Sequence, residues 1–314
     1  MNTSKTALIL GATGGAGGEI AAALLRRGWT VRALVRSTAR AGLAPRIDWR
    51  EGDAMHADDV AQAAAGVDVL VHAVNPPGYR DWDKLVLPML DNSLAAARAN
   101  GARLVLPGTV YNYGPAAFPL LAEDDPQQPL TRKGAIRVAM ERRLAEAADV
   151  RSLVLRCGDF FGPRAGNNWF AAMIKPGRPV CSLLYPGRRG LPHAWAYLPD
   201  VGETVARLLE REGELERHAR FHFTGHQVDE TALLDAVRHS TGNATLPLRA
   251  FPWWLTWLAA PFVVVLRELR EMRYLWREPL QLDNRRLLAW LSEEPHTPLE
   301  QAVETTLRSF GCVE

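Results

Sequence analysis

Residues 6–10 form a short apolar run, Thr-Ala-Leu-Ile-Leu, that ends directly on Gly11-Ala-Thr-Gly14-Gly-Ala-Gly17. A helical pattern over 19–27 and a second apolar run over 30–35 follow. Strand, glycine-rich loop, helix and strand, in that order, make a βαβ unit. Lacking Cβ atoms, such a loop turns tightly and brings bare backbone N–H groups close to a pyrophosphate, while the helix N-terminus adds a favourable dipole. The G-x-x-G-x-x-G spacing therefore implies a bound dinucleotide. Gly11, Thr13, Gly14, Gly15, Ala16 and Gly17 are its expected cradle.

The same rhythm continues. Further strand-like runs lie over 47–50, 67–73, 103–107 and 151–155, with helical patterns over 60–64, 85–100 and 132–148. Continuous β-rich runs separated by helices predict an α/β fold, a doubly wound parallel sheet covered on both faces, with its ligand at the carboxyl ends of the strands. After Cys157 the rhythm breaks. Residues 158–192 are rich in Gly, Pro and Arg, with a short helix expected over 169–174. A helix over 201–210, a strand over 220–223 and helices over 230–240 and 298–310 follow. The expected organisation is a Rossmann domain over 1–157, to which 193–225 returns, and a smaller, mainly helical substrate lobe made from 158–192 and 226–314.

The net charge of +2 carries no signal for nucleic acid. Three cysteines (157, 181 and 312) without a C-x-x-C pair argue against a disulfide framework or zinc site, and no other cluster has metal-ligand spacing, so a reducing cytoplasm and no metal are expected. The first strand begins too early to leave room for a signal peptide. Residues 250–266 are uncharged and Trp-rich, but Pro252 and Pro261 interrupt them and they fall short of the ~20 residues of a spanning helix. A buried or substrate-facing helix is expected there, with peripheral membrane contact as the alternative.

These motifs together resemble the short-chain dehydrogenase/reductase superfamily, in its extended, epimerase/dehydratase-like form. The resemblance runs over roughly residues 5–310. Arg36 ends the second strand, where NAD-preferring members place an acidic residue for the ribose hydroxyl; a cation there suits the 2′-phosphate of NADP, with Arg32 and Arg40 as helpers. A solvated loop arginine is the bland alternative. Asp53, followed by Ala54, stands where members contact the adenine, although a helix N-cap explains it as well. Ala73 follows the fourth strand and completes the expected cofactor contacts; His72 beside it reads as packing. Asn92 stands where members open the helix before the fifth strand.

The run Leu104-Val-Leu-Pro-Gly-Thr109-Val-Tyr111-Asn-Tyr113-Gly114 resembles the element carrying the catalytic Ser/Thr, with Thr109 on that position. Arg156-Cys-Gly-Asp159-Phe-Phe-Gly162-Pro163 and His193-Ala-Trp-Ala-Tyr-Leu-Pro-Asp200-Val201 resemble later elements of the same pattern.

The chain departs from the family at its centre. Where members carry Tyr-x-x-x-Lys and a following Glu, it reads Lys133-x-x-x-Arg137-x-x-x-Glu141. Atypical members, isoflavone-reductase-like and nitrogen-metabolite-repressor-like, are similar here. On one helix face, Arg137 is a like-charge neighbour expected to lower the Lys133 pKa, which makes Lys133 the expected proton donor and a further cofactor contact, with Arg137–Glu141 as a positioning pair. A solvated, charge-laced helix face is the alternative. Tyr111 is a second source of an acidic hydroxyl. Tyr113, His193 and Asn168, with its neighbours Asn167 and Trp169, are candidate substrate contacts.

The expected function is an NADP-dependent oxidoreductase that reduces a carbonyl- or enone-type small molecule, NAD being the lesser cofactor. A sugar-nucleotide epimerase or dehydratase and a non-catalytic NADP-binding redox sensor are the alternatives. Members often pair through the helices flanking the fifth strand, so a homodimer is expected.

Overall fold

The computed structural model describes residues 4–39, 44–76, 81–164, 168–254, 256 and 270–313. Seven parallel strands form the main sheet: β1 (Thr6–Leu10), β2 (Thr30–Val35), β3 (Asp48–Glu51), β4 (Val69–His72), β5 (Arg103–Thr109), β7 (Ser152–Cys157) and β11 (His218–Phe223). Their order is β11-β7-β5-β4-β1-β2-β3. The chain winds outward from β1 through β2 to β3, then restarts on the other side of β1 with β4. That reversal opens a crevice at the carboxyl ends of β1 and β4.

Alternate residues of each strand face opposite sides of the sheet. Ala7 and Ile9 of β1 join a core with Ile20 and Leu24 of α1 (Gly15–Arg26) and Val201, Val205 and Leu208 of α6 (Leu198–Glu210). Leu8 and Leu10 join the other core, built with α2 (Ala57–Ala63), α3 (Trp82–Asn100) and α4 (Arg132–Glu146). Gly202 lets α6 lie directly on α1, since a Cβ there would stand 2.6 Å from the Glu19 carbonyl oxygen.

The remaining strands build a lobe above the carboxyl edge. The first group is a three-stranded sheet of β8 (Asp159–Phe161), β10 (His193–Tyr197) and β12 (His226–Val228), beside α5 (Trp169–Ile174). The second is two strand pairs: β9 (Leu183–Tyr185) with β13 (Leu248–Ala250), and β6 (Leu120–Leu121) with β14 (Gln281–Leu282). A 3-10 segment (Met272–Trp276) precedes β14, and α7 (Glu230–Thr241), α8 (Arg285–Leu291) and α9 (Leu299–Ser309) complete the described chain. The lobe is thus richer in short strands than the helical lobe expected from sequence. Phe161, Trp195 and Trp276 pack edge to face in its core, and β8 and β9 arise inside a Gly- and Pro-rich segment where periodicity was too short to read.

Two local expectations change. Asn92 does not open a helix; it lies in the middle of α3, which starts at Trp82, and its Nδ2 donates to the Ala54 carbonyl at 2.9 Å. Most of 250–266 lies outside the described residues, as do Arg40 and Asn167; no helix among the described residues is long and apolar enough to cross a membrane.

Candidate functional site

The crevice between β1 and β4 opens into a cavity of about 920 Å³. Its floor is the glycine loop. Gly11 has φ +91°, and a Cβ there would lie 2.5 Å from the Ala73 carbonyl oxygen; one on Gly17 would lie 2.4 Å from the Gly11 carbonyl oxygen. Only glycine tolerates both constraints. The α1 N-cap, Gly14, supplies no side-chain cap, so first-turn N–H groups are left to a ligand. These bare amides and close backbone approaches fit a dinucleotide pyrophosphate.

On the β2–β3 side the wall is Arg36, Ser37, Asp53 and Ala54. Arg36 is exposed and makes no ion pair with another described residue. Arg32 turns away: its Nη1 donates to the Ala63 and Ala65 carbonyls, at 2.5 and 3.0 Å, and its Nε pairs with Asp48. Its guanidinium is thus engaged at the α2 turn, and it is not among the described residues that line the cavity. Asp53 does not cap α2, whose N-cap is His56; its Oδ1 accepts the Met55 N–H at 2.9 Å, and the residue stays in the cavity wall.

On the β5 side the wall is Thr109, Tyr111 and Arg137, with Asn168 and Phe160 above. Thr109 ends β5, and its Oγ1 accepts the Tyr111 N–H at 3.3 Å, which starts a 3-10 turn over Val110–Asn112. Gly134 seats that turn against α4, since a Cβ there would meet the Tyr111 carbonyl oxygen at 2.2 Å. Asn168 caps α5, its Oδ1 accepting the Ala171 N–H at 2.7 Å; its Nδ2 is buried in the wall with no protein partner. A buried, unpaired donor beside a cavity is a polar group left for a ligand.

His72 is a second such group. Ser93 Oγ donates to the Met89 carbonyl, so His72 Nδ1 donates to Ser93 at 2.8 Å and Nε2 is left as a lone-pair acceptor without a partner. Burial, and then the Arg137 charge, push the imidazole down to about 3, so it is neutral. The sequence reading took His72 as packing. Its place at the carboxyl end of the strand beside the crevice was the available signal.

The lysine helix differs from expectation. Lys133 is buried on the first turn of α4, its Nζ 4.0 Å from Glu271 Oε2, while Glu271 Oε1 accepts the Lys133 N–H at 3.2 Å. It is not part of the cavity wall formed by the described residues. Arg137 does line the cavity, with its guanidinium 5.2 Å from the Trp82 ring centre. Glu141 does not pair with Arg137. It meets Arg156 of β7, Nη2 to Oε2 at 2.6 Å, and is not among the described residues that line the cavity.

Tyr113 and His193 also lie behind the wall. Tyr113 is fully buried, its hydroxyl bonded to Arg156, and burial raises its pKa. His193 Nε2 meets Asp159 Oδ2 at 2.8 Å, and its ring stacks on Trp276 at 3.6 Å. Neither is among the described residues that line the cavity.

Residues 11–159 match the NAD(P)H-binding family model. Over those residues the chain is similar to NAD(P)H-binding domains, and its fold as a whole is similar to that of several solved structures. It resembles the Bordetella bronchiseptica enzyme WbmH, solved with NAD+ (TM-score 0.73, 20% identity, 98% of this chain and 99% of that one). It also resembles a UDP-glucose 4-epimerase from Thermotoga maritima (TM-score 0.76, 16% identity, 97% and 98%). In sequence it is similar to a 3-diazoavenalumate denitrifying reductase from Streptomyces sp, 34% identical over 176 residues, which cover 51% of this chain and 57% of that protein. The match thus spans little more than half the length of that relative.

Proposed function

We propose that the protein is an NADPH-dependent reductase of a small, partly apolar molecule with an electrophilic centre of the carbonyl or enone type. One observation carries this reading: a single cavity joins the glycine cradle to Thr109, Tyr111 and two buried unpaired polar atoms, His72 Nε2 and Asn168 Nδ2. The Streptomyces relative, a reductase by name, supports the same reaction class.

When bound, the nicotinamide supplies a hydride. The chain's own residues would do the rest. The first-turn amides of α1 hold the pyrophosphate, and Arg36 meets the 2′-phosphate, the reason for choosing NADP over NAD. Arg137, a fixed cation in the wall, faces the hydroxyls and charge at the other end of the cofactor. Thr109 orients the reacting oxygen, and Asn168 donates to it or to a neighbouring polar group. Tyr111 is the proton donor that the wall offers, since Lys133 faces Glu271 instead. The cytoplasm is the natural compartment for such a reaction, and the helices flanking β5, α3 and α4, are the expected homodimer face.

The test is NADPH oxidation, followed by absorbance, against a panel of carbonyls, enones, quinones and diazo acids. Turnover of at least one class is expected. No turnover with any of them, together with tight NADPH binding, favours the redox-sensor reading.

A further inference from the structure

His72 ends β4, is 2% exposed and lines the cavity in company with Leu10, Val74, Leu85 and Met89. Its ring is held in one tautomer. Ser93 on α3, fully buried, gives its Oγ proton to the Met89 carbonyl at 3.0 Å, so it can only accept from His72 Nδ1–H at 2.8 Å. Nε2 is then a bare lone pair, buried and without a protein partner. Burial, and then the Arg137 charge, keep the ring neutral, so no proton takes up that lone pair near neutral pH. A buried acceptor left unmet costs more than a made hydrogen bond returns, which calls for a donor from within the cavity.

The order of the strands says which part of a dinucleotide passes this point. Arg36 and Asp53 stand just beyond the ends of β2 and β3, the glycine loop follows β1, His72 ends β4 and Thr109 ends β5. In the sheet these strands run β5-β4-β1-β2-β3, with neighbours about 4.8 Å apart. With the adenosine beside β2 and β3, the pyrophosphate lies at the first turn of α1 beyond β1, and the nicotinamide lies at Thr109. The sugar that joins those two groups therefore crosses the end of β4. Phosphate oxygens are acceptors and are repelled by a lone pair. Ribose hydroxyls are donors, and they stand at this point of the molecule.

We infer that His72 is a cofactor-binding residue whose Nε2 accepts a hydrogen bond from a hydroxyl of the ribose between the pyrophosphate and the nicotinamide. This rests on the dinucleotide placement of the reductase reading, and not on turnover. The ribose O–H points at His72 Nε2, His72 Nδ1–H at Ser93 Oγ, and the Ser93 hydroxyl at the Met89 carbonyl. All three donors run in one direction, so each bond polarises the next. The line ties the nicotinamide-side sugar to β4 and α3. Ser93 is a positioning residue: it acts through His72, by fixing the tautomer that makes the imidazole an acceptor.

The experiment measures Kd by fluorescence for NADPH and for two NADPH analogues, each lacking one hydroxyl of the nicotinamide-side ribose. Wild type, His72→Phe and Ser93→Ala are compared. In the wild type one analogue is expected to bind about 5–100-fold more weakly than NADPH, because Nε2 is again left unmet. In His72→Phe, NADPH should weaken by at least about fivefold, and the penalty for the missing hydroxyl should fall below about twofold, since both changes remove one contact. Ser93→Ala, a smaller change within α3, should weaken NADPH about 2–10-fold. Nitrogen-15 NMR of the histidine-labelled wild type reads the contact without any substitution, and decides with Ser93→Ala if His72→Phe does not fold. The bare Nε2 signal of His72 should move toward the protonated position when NADPH binds. Analogues that both bind as tightly as NADPH, a His72 signal unmoved by NADPH, or unchanged affinity in both variants overturns the inference. A protein that passes these binding tests and turns over no substrate loses the reductase reading alone. One that reduces a substrate with the His72 signal unmoved loses this inference alone, and absent NADPH binding overturns both.

Discussion

The Glu141 carboxylate and the Arg156 guanidinium form a buried, bidentate ion pair that ties α4 to β7, Arg156 Nε donating to both carboxylate oxygens at 3.1 Å and Nη2 to Oε2 at 2.6 Å. Asn112 Nδ2 donates to the same carboxylate at 2.9 Å, and Arg156 Nη1 to the Glu123 carbonyl at 2.9 Å. Tyr111 and Tyr113 lie on either side of Asn112, so the pair fixes the turn that carries the cavity wall. Removing one member strands a charge in the interior. Glu141→Gln is expected to cost about 3–5 kcal/mol in denaturant unfolding. A loss below about 1 kcal/mol would show that the pair is dispensable.

On the proposed reading, Arg36 decides the choice of dinucleotide. A charge-assisted contact is worth about 1.5–3 kcal/mol, so Arg36→Asp should weaken NADPH binding by roughly 10–100-fold and bring NADH level with it or ahead. Equal affinity for both cofactors in the wild type would remove Arg36 from the site.

The glycine loop tolerates no added carbon at Gly17, where a Cβ would stand 2.4 Å from the Gly11 carbonyl oxygen. Gly17→Ala is expected to abolish measurable NAD(P)H binding and lower Tm. Gly28→Ala is the control: nothing lies within 4 Å of its Cβ position, so it should disturb only its own backbone, whose φ is +78°. Retained binding in Gly17→Ala would mean that the loop is not the cradle.

Lys133 faces Glu271 and stands outside the wall. Lys133→Met is expected to lower Tm, through an unpaired Glu271, and to keep turnover within about threefold. Lost turnover with intact NADPH affinity and Tm would return the proton-donor role to Lys133.

Two buried histidines set the acid limit. Burial pushes both His72 and His222 down to about 3, with Arg137 adding at the first and Arg156 at the second. Both are neutral when folded and regain a value near 6.5 on unfolding. Below that value the unfolded chain binds more protons. Their contribution is therefore full above about pH 6.5 and is lost as pH falls toward 3, by up to about 1.4 kcal/mol per pH unit for each group. Tm recorded between pH 7.5 and 4, values chosen at about one unit outside and well inside that window, should fall steadily below 6.5; a flat profile contradicts the assignment.

The main sheet was legible because its signals are local. An apolar run of five residues, a glycine-rich turn and a helix in between are encoded by neighbours in the chain; β1 and β2 formed where their pattern placed them, while α1 begins four residues earlier than expected, at Gly15 inside the glycine run. Arg36 and Asp53 reached the cavity for the same reason, each at the end of a strand. The lobe was harder to read, since β8, β9 and β12 are three residues each and gain their stability from partners far away in sequence.

The side-chain partners were not legible at all. On a helix, spacing states that Lys133, Arg137 and Glu141 share a face; it does not state what that face meets. Packing gave Glu271 to Lys133, Trp82 to Arg137 and Arg156 to Glu141, residues between 15 and 138 positions away. The sequence by itself determined a dinucleotide cradle at the edge of a parallel sheet, because backbone conformation and strand periodicity are short-range properties. Only the tertiary structure decided that Tyr111 lines the cavity with Asp159 and His193 behind it, because desolvation and ion pairing act through space between elements that the chain order keeps apart.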